Sequence, residues 1–260
     1  MTPQLLDIHH GFNFRDLGGY PTMAGKTVRS HRVLRSGRMN DLSERDQDYL
    51  ARYGLRLDLD FRSQAETVTA PDRLPAGVTY DHTPVFVDDE TKISANIVEL
   101  RKHYSTDPLA GFKNMINTYH NLVQEPTAQQ AYRHFFDQLL ANETGALLFH
   151  CAAGKDRTGM GAVYLLTVLG VDPVTIRQDY LASNNYLTGE ILRMTNEAKA
   201  AGGTPELVAT TRSLCSVTNE YLDAAMLLIN HDYGSLPHYL ATVIGVTPAQ
   251  QRDLQALYLE

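Results

Sequence analysis

Only two cysteines, Cys151 and Cys215, occur in 260 residues. Two thiols cannot build the disulfide framework of a small secreted fold, so packing must hold this chain together. No apolar stretch reaches 18 residues although 43% of the chain is hydrophobic, so no membrane-spanning helix is expected. Positive charge is in deficit. The formal net charge of −7 gives no electrostatic support to a general nucleic-acid-binding or membrane-coating role. The opening Met1-Thr2-Pro3-Gln4-Leu5-Leu6-Asp7 has neither a basic segment nor an apolar one. A cytoplasmic location is therefore expected, with export by a route lacking such a signal left open. There are also no internal repeats, low-complexity tracts or linker, and the length fits one domain over residues 1–260.

What the chain does contain is concentrated in His150-Cys151-Ala152-Ala153-Gly154-Lys155-Asp156-Arg157-Thr158-Gly159. Ala146-Leu147-Leu148-Phe149, after the turn signal Thr144-Gly145, reads as a buried strand. From Arg157, the residues Met160, Val163, Tyr164 and Val168 recur at helical spacing until Gly170. The ten residues thus form a loop from a strand's carboxyl end to a helix's amino end, where unpaired N–H groups and the helix dipole favour an anion. Gly154 allows close backbone approach to a ligand.

A helix N-terminus and nearby cations stabilise a thiolate, so Cys151 is placed to attack phosphorus. Arg157 can grip two phosphoryl oxygens bidentately, which lysine cannot do with the same geometry. His150 is expected to orient the loop, and the Thr158 hydroxyl to stabilise the sulfur when it leaves. Cys-x5-Arg spacings arise often by chance, and a cysteine after an apolar strand is usually an inert core residue. The flanking His, Gly and Thr-Gly, in a strand–loop–helix setting, outweigh that reading. A nucleotide-binding P-loop is excluded, because Phe149 and Asp156 stand where it needs Gly and Ser or Thr.

The loop resembles the signature of the protein-tyrosine phosphatase superfamily, in its bacterial tyrosine and triple-specificity branch of mycobacterial tyrosine phosphatase B type. Further blocks are similar to that branch: Phe12-Asn13-Phe14-Arg15-Asp16-Leu17-Gly18-Gly19, Leu34-Arg35-Ser36-Gly37, and Asp58-Leu59-Asp60-Phe61-Arg62-Ser63 with Glu66. So are Asp179-Tyr180-Leu181-Ala182-Ser183-Asn184, Glu220-Tyr221-Leu222 and Tyr233-Gly234-Ser235-Leu236. The resemblance implies Cys151 as nucleophile, Arg157 as phosphate clamp, and a cradle of amides from Ala152, Ala153, Gly154, Lys155, Asp156 and Arg157. It implies metal-independent chemistry with no cofactor. Lys155 would add positive charge, a hint of phosphoinositide or inositol-phosphate substrates beside phosphorylated proteins. The non-enzymatic alternative, a phosphate-binding module, would need a damaged nucleophile or clamp, and both are intact.

The general acid is less defined. Asn121-Leu122-Val123-Gln124-Glu125-Pro126, about thirty residues upstream of the cysteine, holds no aspartate. The resemblance favours Asp156; Asp88 or Asp89, after Thr83-Pro84-Val85-Phe86-Val87, is the alternative. Lys26, Arg29, Arg32, Arg35 and Arg38 lie in an acid-free stretch that is either a positive rim or a solvated strand and turn. Cys215 reads as a buried apolar residue, with a reversible disulfide to Cys151 as the alternative.

The architecture expected is α/β: a central, mostly parallel sheet of four to five strands flanked by helices, with an all-helical C-terminal part. Strands are read at 33–35, 56–59, 79–82 and 146–149. Ser43 caps a helix stopped at Gly54, Pro126 opens another, and five further helices follow residue 173. Residues 184–216 are implied by the resemblance to form a helical lid over Cys151, a rigid packed hairpin being the alternative.

Overall fold

Each of the four apolar runs read as strands forms one in the computed structural model, which describes residues 4–260. They are β3 (Val33–Ser36), β4 (Leu55–Asp60), β5 (Thr79–His82) and β6 (Ala146–His150). Two two-residue strands, β1 (Gln4–Leu5) and β2 (Arg15–Asp16), extend the sheet to six in the order β1-β2-β3-β6-β4-β5. They are too short to show an alternating pattern, so periodicity could not reveal them. β3, β6, β4 and β5 run parallel; β1 and β2 join antiparallel at one edge.

β6 lies inside the sheet and is buried along its whole length, as a parallel strand covered on both faces must be. Its Leu147 and Phe149 enter one core, and Ala146 and Leu148 the other, following the two-residue alternation of a strand. His150 pairs in register with Ser36 on one side and Asp60 on the other. The carboxyl ends of β3, β6 and β4 therefore finish together, and open α/β sheets bind ligands at that edge.

The helices are α1 (Glu44–Tyr53), α2 (Gln64–Thr69), α3 (Ile97–Tyr104), α4 (Ala110–Gln124), α5 (Pro126–Ala141) and α6 (Arg157–Val168). After them come α7 (Pro173–Tyr186), α8 (Thr188–Ala200), α9 (Pro205–Cys215), α10 (Asn219–Tyr233), α11 (Leu236–Thr242) and α12 (Pro248–Tyr258). α1 starts and stops at the residues read from sequence: Ser43 and Asp46 form a capping box, and Gly54 ends the helix at φ 100°. α4 escaped the sequence reading because Gly111 and three asparagines are weak helix formers. Tertiary packing overrides this, since Met115, Tyr119, Leu122 and Val123 are all fully buried.

Candidate active site

Cys151 follows β6 directly, and the loop it begins is shaped by bonds to its carbonyls. Arg38 N donates to Ala152 O at 3.0 Å. Asn13 Nδ2 donates to both Ala153 O and Gly154 O, at 3.0 and 2.9 Å, and Arg35 Nη2 also donates to Gly154 O at 2.8 Å. With its carbonyls drawn backward, the loop turns its amides the other way. Among the described residues, no N–H of residues 152–156 donates to a protein acceptor. No side chain caps the start of α6 either, leaving its first-turn donors free for an anion. Gly154 adopts φ 67°, and a Cβ there would stand 2.1 Å from Ser36 O. Its lack of a side chain is required twice, by conformation and by space.

The groups that hold those carbonyls are themselves held. Asp179, on α7, accepts from Arg15 Nε at 2.9 Å, Arg35 Nη1 at 2.5 Å and the Tyr20 hydroxyl at 3.0 Å. Arg15, Arg35 and Asp179 are essentially inaccessible to solvent. Burial alone would raise the Asp179 carboxyl, but the two guanidiniums override it and bring the carboxyl down to about 2. Asn13 sits in the left-handed region at φ 62°, and its Oδ1 accepts from Arg15 Nη1, so its amide is fixed toward the loop.

Arg157 opens α6 and is fully buried. Glu66 holds it bidentately, Nη1 to Oε2 at 2.7 Å and Nη2 to Oε1 at 3.0 Å. Glu66 also closes the capping box of α2, accepting from Ser63 N, and takes a bond from Ser94 Oγ at 2.9 Å. Burial raises the Glu66 carboxyl, but Arg157 outweighs burial and leaves it at about 2. The guanidinium is therefore ionised, oriented, and retains an Nε donor with no protein partner.

Around this frame the other sequence-predicted residues take definite places. The His150 Nδ1 lies 3.2 Å from Cys151 O, so it must carry the proton in that contact. Its Nε2 faces Asp58 and Asp72 at 3.3 Å and Asp60 at 3.7 Å. Burial alone would lower this imidazole, but the three carboxylates lift it well above its usual value. Asp58, Asp72 and His150 have the spacing of a cation site, yet Arg62 and the imidazolium already supply its positive charge. The Thr158 hydroxyl is buried without a protein partner. Cys151 is 2% exposed.

Three groups of charged residues make definite contacts. Lys155 is fully buried and bonded to Asp156 Oδ2 at 2.6 Å, so its charge is spent inside the protein and does not face the cavity. Asp156 accepts from the Tyr119 hydroxyl at 3.0 Å on its other oxygen. The basic stretch is dispersed: Arg35 is in the buried network, Arg29 and Arg32 bond main-chain carbonyls of residues 257 and 142, and Lys26 is exposed. Only Arg38 of the five reaches the cavity, a space of about 680 Å³ in front of the loop. Asp88 and Asp89 line it, and Asp89 Oδ1 is 3.7 Å from Arg157 Nη2. Glu66, Asn13, Arg35 and Asp179 were visible in sequence only as parts of resembling blocks. The physical signal was an arginine inside a short apolar strand, which demands a buried anion.

One consequence of the His150 cluster is measurable. Burial, with the charges of Asp60 and Asp72, raises the Asp58 carboxyl to about 6 against the opposing pull of His150. A carboxyl raised on folding contributes stability at low pH that is lost as pH rises through its folded value. The melting temperature should therefore decline between about pH 4 and pH 6, and Asp58→Asn should flatten that decline. An identical pH profile for the variant would refute the assignment.

The whole chain carries the same stamp. Residues 6–260 match the family model described as Tyrosine phosphatase family. A Cupriavidus necator protein bearing a tyrosine-protein phosphatase name is 34% identical over 245 residues, covering 92% of this chain and 84% of its own. A tyrosine-protein phosphatase of Nostoc commune is 28% identical, over 90% of this chain and 76% of the relative. The triple specificity protein phosphatase PtpB of Mycobacterium tuberculosis is 29% identical, over 95% and 96%. No helix among the described residues is long and apolar enough to cross a membrane. With its signature loop intact and a match over nearly its full length, this chain belongs to the tyrosine phosphatase family.

Proposed function

We propose that this protein hydrolyses phosphotyrosine through a phosphocysteine intermediate. Cys151 Sγ attacks phosphorus as the bond to the tyrosyl oxygen breaks, and an acid protonates that oxygen. Water then attacks phosphorus, the sulfur leaves as thiolate with help from Thr158, and inorganic phosphate departs. The observation that carries this reading is the loop itself, whose carbonyls are tied back by Asn13, Arg35 and Arg38. Its amides and the Glu66-fixed Arg157 then form a preorganised cage for the charge that develops on the transferring phosphoryl group. Tight substrate analogues should be trigonal-bipyramidal oxyanions such as vanadate.

Asp89 is the acid this reading favours over Asp156. It lines the cavity and stands beside Arg157, with its oxygens accepting only from the Thr91 hydroxyl and Ser94 N, whereas Asp156 is buried and ion-paired to Lys155. Loss of a general acid slows poor leaving groups most, by roughly 100-fold or more. Asp89→Asn should therefore slow phenyl phosphate far more than 4-nitrophenyl phosphate. Asp156→Asn should slow both alike, and the opposite pattern would return the role to Asp156.

The hairpin of α8 and α9 is assigned as a cover. α9 is anchored: Gly111 of α4 packs so closely that a Cβ there would lie 2.6 Å from Thr210 O. α8 buries only Thr195 and Ala198, while its Arg193, Met194 and Glu197 roof the cavity. Lifting α8 would open the path to Cys151. Burial pushes the Cys215 thiol to about 11, which suits a packing residue against Met194 better than a redox partner.

A further inference from the structure

One cation at the mouth of the loop is not used by anything so far described. Arg38 follows β3, and its N–H bond to Ala152 O fixes it beside the nucleophile's neighbour. Among the described residues, its guanidinium makes no ion pair and no hydrogen bond, and its Nε is buried without a partner. Its Cζ lies 5.8 Å from the centroid of the Phe12 ring, which orients the group without neutralising it. The other arginines at the cavity are committed, Arg62 to Asp60 and Asp72, and Arg193 to Glu190 and Glu197. Arg38 also lines a narrower crevice with Phe12, Ala152, Ala153, Leu187 and Met194. The acid in that crevice, Glu190, is already paired with Arg193. A half-buried charge interacts more strongly with an anion than the same charge in water.

We propose that Arg38 is a specificity-determining residue that grips a second anionic group of the substrate beside the phosphate being hydrolysed. This rests on the phosphomonoesterase reading given above. Arg38 lines the same narrow crevice as Ala152 and Ala153 of the loop, which sets the second anion beside the first. Two phosphates on adjacent positions of one small ring meet that condition. Successive phosphotyrosines in an extended peptide do not, since their side chains point to opposite faces. The substrate class is a vicinal bisphosphate, soluble or carried as a lipid headgroup.

The test compares kcat/KM for matched pairs with wild-type, Arg38→Ala and Arg38→Lys proteins. The soluble pair is catechol bisphosphate and phenyl phosphate. The lipid pair is dioctanoyl phosphatidylinositol 3,4-bisphosphate and the 3-phosphate, and a third pair is a peptide carrying two adjacent phosphotyrosines or one. The wild type should prefer the bisphosphate of the ring pairs, and Arg38→Ala should cut that preference about tenfold or more, the scale of a hydrogen bond between charged groups. Arg38→Lys should keep part of it. Preference in both ring pairs means ring phosphates suffice, and preference in the lipid pair alone adds the acyl chains to recognition. Equal losses on both members of each pair, no wild-type preference, or a preference confined to the peptide pair would overturn the proposal. A wild type inactive on every phosphomonoester would overturn the phosphatase reading first.

Discussion

Replacing Cys151 with serine should lower turnover of phosphotyrosine by at least about four orders of magnitude, the scale of nucleophile removal in other covalent hydrolases. Binding should survive, because the amide cage, Arg157 and Glu66 are untouched; a phosphotyrosine peptide should be retained by the variant and displaced by vanadate. Rapid acid quenching of the wild type should trap phosphate on Cys151. In the intact protein Cys151, only 2% exposed, should react slowly with iodoacetamide. Removing residues 190–214 should speed that reaction if α8 is the cover. Residual turnover of the serine variant within about 100-fold of wild type would rule out covalent catalysis by this residue.

The largest expected loss of stability follows from Asp179→Asn. The carboxylate compensates two buried guanidiniums, Arg15 and Arg35, and removing one partner of a buried charge cluster costs about 3–5 kcal/mol. At roughly 2–4 °C per kcal/mol for a domain of this size, the melting temperature should fall by about ten degrees. Since the folded carboxyl lies at about 2, its stabilisation is present above the ordinary aspartate value and fades as pH falls through 2. Activity should fall as well, measured well below the new melting point, because Arg35 carries the restraint on Gly154 O. A variant with unchanged melting temperature would show that Asp179 is not what balances the two arginines.

The comparison of sequence with structure divides by range of interaction. α1, α9 and the four parallel strands were legible because caps and apolar runs are local signals. Cys151, Arg157, His150 and Thr158 were legible because they share one loop. Glu66 acts on Arg157 from 91 residues away, and Asp179 on Arg35 from 144, separations at which a single sequence carries no spacing rule. The pairing of Lys155 with Asp156 joins adjacent residues, yet their shared burial depends on distant packing that no local spacing announces. Arg38 shows the reverse: one residue of a basic stretch whose other arginines all turned to structural partners.

The carboxylate of Glu66 that starts the six-residue α2 also steers Arg157. Nucleating a short coil segment and aiming a transition-state cation are thus a single event. Warming that frays this one turn would silence the enzyme while the sheet stays intact, so thermal inactivation should precede global melting.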